Sequence, residues 1–142
     1  MGYEIVWEPR GACKRFFGQV SDAELMRSVV EIEGDHRFDA IRYVVNDFRA
    51  VEGFQVTEEN VMTISAIDGA ASITNPTIKI AIVAVDAAVR AMAELYANSP
   101  LNTYPTRIFA AMAEARAWAE TPSDDLPPEH YINARLRARY RM

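Results

Sequence analysis

A chain of 142 residues, half of them hydrophobic, has material for one ordinary core and little left for a second domain. Its net charge of −5 is unevenly spread: residues 129–142 set one glutamate against Arg135, Arg137, Arg139 and Arg141, giving +3, which leaves −8 on the preceding body and disfavours nucleic-acid binding by that body. The apolar runs are far shorter than the roughly 20 residues of a membrane span, Glu4, Glu8 and Arg10 interrupt the place where a signal peptide needs its apolar centre, and Cys13 has no partner for a disulfide, so a soluble cytoplasmic protein is expected.

Tyr3, Ile5 and Trp7 alternate with Glu4, Val6 and Glu8 at the period of a strand. Pro9-Arg10-Gly11 reads as a turn and Ala12 to Gln19 as the return strand of an N-terminal hairpin, with Cys13 a small buried hydrophobe. Ser21-Asp22-Ala23-Glu24 is a capping box that starts a helix, Leu25, Val29 and Ile32 form its buried stripe, and Gly34 is expected to stop it in the left-handed conformation. Phe38 to Phe48 contains IRYVV, a Val/Ile-rich strand ending at Asn46-Asp47, followed by a loop around Gly53. Thr57, with Glu58 and Glu59 behind it, caps a second helix whose Ile64, Ile67 and Ala71 recur at helical spacing until Asn75-Pro76.

Ile78 to Val85 is a continuous apolar run, the pattern of a strand covered on both faces, and it stops at Asp86. Val85, Val89, Met92 and Tyr96 make the next helical stripe, broken at Asn98-Ser99-Pro100. A short strand at Thr106 to Phe109 precedes a last helix with Met112, Ala115 and Trp118 inward. The alternation of strands and helices predicts an α/β domain with a mixed, mostly parallel sheet, an N-terminal hairpin and about four helices over residues 1–120. Three prolines and two aspartates between Thr121 and Pro128 mark a linker, and residues 121–142 are read as linker plus basic arm. In that arm Leu136 and Tyr140 form an apolar stripe flanked by Arg135 and Arg139, which suits docking on the acidic body of a second copy, so a homodimer is expected.

No assembled catalytic set appears. His36 and His130 are the only histidines and lack Cys/His ligand spacing, and Gly53 and Gly69 belong to no phosphate-cradling loop, so neither metal nor cofactor is expected. Open α/β sheets bind ligands beyond the carboxyl ends of their strands, which nominates Asn46, Asp47, Thr57 and Asp86 as one mouth. Each also has a plain role: Asp86 and Thr57 as helix caps, Asn46-Asp47 as turn residues.

FFGQVSDAE (Phe16 to Glu24), RYVVNDF (Arg42 to Phe48), KIAIVAVD (Lys79 to Asp86) and RIFAAMAEARAW (Arg107 to Trp118) together resemble the SpoIIAA-like proteins, which share the STAS fold of bacterial anti-sigma-factor antagonists. The resemblance implies a STAS-like fold and a regulatory, non-enzymatic role, with apolar ligands suggested for that branch. It also implies a phosphoserine at the helix after the central strand, but RAVEGFQVTEEN (residues 49–60) lacks the Asp-Ser-Ser-Gly type motif, and the nearest hydroxyl, Thr57, sits beside two acids that oppose a phosphate, so no phosphorylation is expected. The reading is a small non-enzymatic regulatory or ligand-binding module with room for an apolar small molecule between helices and sheet. Two alternatives stand beside it: an interaction module of anti-sigma-antagonist type, and an enzyme using the carboxylates Asp47 and Asp86.

Overall fold

A computed structural model describes residues 2–122. Five strands form one sheet in chain order: β1 (Tyr3–Trp7), β2 (Gly11–Ser21), β3 (Tyr43–Gln55), β4 (Lys79–Val83) and β5 (Thr106–Phe109). The first pair is antiparallel and every later pair is parallel. Helices α1 (Asp22–Glu33), α2 (Glu58–Thr74) and α3 (Ala87–Ala97) are the successive crossovers, and α4 (Met112–Glu120) follows the last strand. Because each right-handed crossover steps one strand in the same direction, all three crossover helices fall on one face. The large core, including Phe16, Val29, Ile64, Ile82, Val89 and Tyr96, lies there. A smaller one, Tyr43, Val45, Ala81, Val83, Ala115 and Ala119, lies under α4.

The local signals act as their chemistry requires. Ser21 Oγ accepts from Glu24 N at 3.4 Å to start α1, and the Glu24 carboxylate accepts from Gly2 N, tying the N-terminus to the helix. Asp86 Oδ2 accepts from Ala88 N and Val89 N at 3.0 and 3.2 Å. Asn75 closes α2 and sends its amide to Phe38 O and Ile41 O at 2.8 and 2.9 Å. At the end of α4, Lys79 Nζ donates to Trp118 O and Thr121 O at 3.0 and 3.1 Å, placing a cation on the negative end of that helix. Thr121 thus bonds to the folded body, one residue past the expected boundary at 120.

Four expectations are corrected. β3 starts at Tyr43, after a 3-10 turn at His36–Ala40, and runs past the expected end at Asn46-Asp47 to Gln55, through the expected loop at Gly53. The extension exists because the far half of β3, Ala50 to Gln55, pairs with Phe17 to Ser21 of an equally long β2. The Gln19 side-chain amide lies over Gly53, where a Cβ would fall 1.9 Å from Gln19 Oε1 and the flexible glutamine would have to swing aside. The positive φ falls at Gly18 (64°), where β2 bulges between its two stretches of pairing, whereas Gly34 ends α1 at φ −85° with its N–H on Val30 O. Finally, β4 stops at Val83, so Val85 is 65 % exposed and belongs to no helical stripe, and Cys13 is half-buried rather than fully enclosed. The arm residues Arg135, Leu136, Arg139 and Tyr140 lie outside the described residues.

Candidate functional site

Alternation along the central strands decides what can meet. Lys14, Asn46 and Ile82 are register partners on β2, β3 and β4, so their side chains share the face under α1, α2 and α3. Asp47 pairs with Arg15 and Val83 and therefore faces the α4 side. There it forms a two-pronged contact with Arg49, 2.9 Å on each oxygen, and that guanidinium overcomes burial to hold the carboxyl below its usual range. Thr57 caps α2, accepting from Asn60 N at 3.2 Å and donating to Asp22 Oδ2 at 2.8 Å. The four nominated residues therefore do not form one mouth. Asn46 and Asp47 lie in mid-strand on opposite faces, and Thr57 and Asp86 serve helix ends.

Beneath the helix layer is a cavity of about 90 Å³. Its wall is mostly apolar: Val29 and Ile32 from α1, Ile64 from α2, Met92 and Ala93 from α3, Ile80 and Ile82 from the sheet. Six residues with polar groups interrupt it: Lys14, Glu33, Asn46, Asp68, Tyr96 and Tyr104. Lys14, 6 % exposed, donates to Ser28 Oγ at 3.2 Å, and the Ser28 hydroxyl passes its own proton to Leu25 O at 2.7 Å. The ammonium also lies 5.6 Å from the Phe16 ring centroid. Tyr96 OH donates to Asp68 Oδ2, and both residues are buried. Among the described residues no carboxylate oxygen comes within 4.0 Å of Lys14 Nζ, and the Asn46 carboxamide, 9 % exposed, makes no hydrogen bond.

Burial dominates the electrostatics. It pushes the Lys14 amine down to about 8 from an ordinary 10.5, against the opposing pull of Asp68 and Glu33. It pushes Glu33 well above the usual carboxylate range, helped by the neighbouring Asp68 carboxyl, so Glu33 keeps its proton at neutral pH. The Tyr96 hydroxyl is raised for the same two reasons.

A pH dependence follows. Because Glu33 titrates higher folded than unfolded, the folded chain keeps a proton that the unfolded chain releases above about 4.5, and stability is lost as pH rises from there. Lys14 acts in the opposite sense: folded it binds fewer protons between about 8 and 10.5, so stability returns across that window. Glu8 and Asp47, both held low, complete their contributions below pH 5. The unfolding free energy should therefore fall between pH 5 and 8, by less than about 1.4 kcal/mol per pH unit, with the melting temperature falling alongside it, and Glu33→Gln should flatten the slope. An unchanged slope in that variant would assign the dependence to another group.

The polar cluster was missed by sequence reasoning, although a signal existed. Ala12, Lys14 and Phe16 share one strand face, and Val61, Ile64 and Asp68 share one helix face, so a charge stood in each apolar row. Among the described residues no three His, Cys, Asp or Glu side chains are placed to hold a metal, and no helix is long and apolar enough to cross a membrane.

No family model and no curated protein matches the sequence. Solved structures do. The anti-sigma factor antagonist SpoIIAA in its unphosphorylated form superposes with a TM-score of 0.55 at 9 % identity, over 81 % of this chain and 94 % of that one. The phosphorylated form of SpoIIAA, described as the Bacillus cell fate determinant, gives 0.54 at 11 % identity, over 82 % and 97 %. The chain has the STAS fold of SpoIIAA. At these identities the STAS likeness is one of architecture, and activity has to be argued from the cavity and surface of this chain.

Proposed function

We propose that this STAS-fold protein is a non-enzymatic regulatory module whose ligand, a small and largely apolar molecule without net charge, occupies the cavity beneath α1, α2 and α3. The observation that carries the reading is the pairing of an apolar wall with two under-partnered polar groups, the Asn46 amide and the Lys14 ammonium. A ligand that accepts from both would fix its orientation through the polar groups of a mostly apolar wall. A cavity of about 90 Å³ suits a molecule smaller than benzene, of about four or five non-hydrogen atoms. 1-Butanol has that size. It should raise the melting temperature of the full chain progressively with concentration, and Ala93→Met, which puts a flexible side chain into the space, should retain the fold and abolish the effect. No stabilisation of the parent protein, or equal stabilisation of the filled variant, would contradict the reading.

A second reading, an interaction module of the kind SpoIIAA exemplifies, is supported by the surface. The end of α2 and the segment after α3 meet through the Thr103 to Ser72 hydroxyl contact at 2.7 Å and leave Ile73 82 % and Leu101 46 % exposed. The basic arm is proposed to dock on a second copy through Leu136, Tyr140, Arg135 and Arg139. Deleting residues 123–142, which spares the Thr121 carbonyl used by Lys79, should shift sedimentation from dimer to monomer, and an unchanged species would assign the arm another role.

A further inference from the structure

The chain contains only two lysines, Lys14 and Lys79; its other basic side chains are arginines and two histidines. Both lysines are buried, at 6 % and 4 % exposure, on opposite faces of the sheet. Their surroundings differ. Lys79 Nζ has three oxygens within reach, Trp118 O at 3.0 Å, Thr121 O at 3.1 Å and Thr121 Oγ1 at 3.5 Å. Lys14 Nζ has one among the described residues, Ser28 Oγ, and it borders the cavity. An amine so placed is short of acceptors on the side where a ligand would sit, and desolvation is the means by which a lysine becomes a nucleophile.

The charges narrow the ligand. The ionisable groups facing Lys14 are Glu33 from α1, Asp68 from α2, and the hydroxyls of Tyr96 from α3 and Tyr104 from the loop before β5. Two carboxyl groups, Glu33 and Asp68, already line the cavity, and an anionic head group would add a further buried negative charge beside them. A neutral head with an acceptor oxygen costs no charge and meets both the Lys14 and the Asn46 donors.

The geometry points to Lys14 as an imine-forming amine that captures a small neutral aldehyde or ketone in this cavity. The inference rests on the cavity reading above and adds a covalent bond to it. The neutral Nζ adds to the carbonyl carbon, the C=O π pair moves onto oxygen, and that oxygen takes up the proton the nitrogen loses, giving a carbinolamine. The Glu33 carboxyl donates its proton to that hydroxyl, one water leaves, the C=N bond forms, and the nitrogen returns a proton to the Glu33 carboxylate. No oxidant or reductant enters, and hydrolysis reverses each step, so the chemistry is capture and release.

The test uses the full chain, butanal as the carbonyl and cyanoborohydride to fix any imine as a stable secondary amine, read by peptide mass mapping. Lys14 should be alkylated at least tenfold faster than Lys79 and the α-amine, at a rate that climbs as pH approaches about 8. 1-Butanol, which fills the same space and cannot form an imine, should slow it. Lys14→Met should lose the adduct and keep its melting transition, and the comparison with Lys79 in the unmutated chain needs no variant. If butanol stabilises the protein but Lys14 is labelled no faster than Lys79, the imine is refuted and the cavity reading survives. Lys14 labelling that butanol does not slow would also refute it, since the amine would then be reacting outside the cavity. If neither compound shifts the melting temperature, the cavity reading itself fails.

Discussion

Phe16→Ala should destabilise the protein by about 3–5 kcal/mol. The side chain is fully buried, stacks on Phe48 with ring centroids 4.5 Å apart and planes within 6°, and touches Tyr3 at 6.1 Å. It therefore couples the edge hairpin to the long strand β3. Truncation opens a cavity at the junction of β1, β2 and β3 and also removes an aromatic pair of about 0.5–1.5 kcal/mol. For a domain whose whole margin is on the order of 5–15 kcal/mol, urea denaturation should show a midpoint near collapse. A loss below about 1 kcal/mol would mean that the surrounding side chains close over the gap.

The second large effect is asymmetric. Asp68→Ala should cost about 3 kcal/mol or more, because it leaves the buried Tyr96 hydroxyl without its acceptor and removes the anion that opposes Lys14. Lys14→Met, by contrast, removes an ammonium whose acceptor among the described residues is Ser28 Oγ and leaves the Asp68 carboxylate its Tyr96 donor, so it should cost much less, about 1 kcal/mol or under. Parallel denaturant titrations distinguish the two. Equal destabilisation by both would make Lys14 a structural member of the core. The predicted contrast makes it a group that the core does not depend on, as expected of a side chain that serves binding.

Elements defined by local chemistry were readable before any coordinates. Ser21, Thr57 and Asp86 announce their helices because a hydroxyl or carboxylate ahead of an apolar period has one obvious partner, the unpaired N–H groups of the first turn. The short strand Thr106 to Phe109 lies where the pattern puts it. The length of β3 was not readable, since RAVEGFQ is strand only because Phe17 to Ser21 of β2 lies beside it, and that pairing is set by tertiary structure. Neither was the site. Asn46 and Asp47 were placed together at a strand end, whereas neighbouring residues within a strand must face opposite ways. What lines the cavity instead, Lys14, Asn46 and Asp68, comes from β2, β3 and α2, and no sequence window contains all three.

The central claim is that the ligand site of this STAS-fold protein lies beneath the helix layer and not at the carboxyl edge of the sheet. Backbone amide spectra of the ¹⁵N-labelled chain, recorded while 1-butanol is titrated in, test it most directly. Saturable shifts should concentrate at Lys14, Val29, Asn46, Ile64, Asp68 and Ala93, around the cavity. Shifts centred on Thr57 and Asp86 at the helix N-termini, or changes that grow linearly without saturation across the surface, would contradict it.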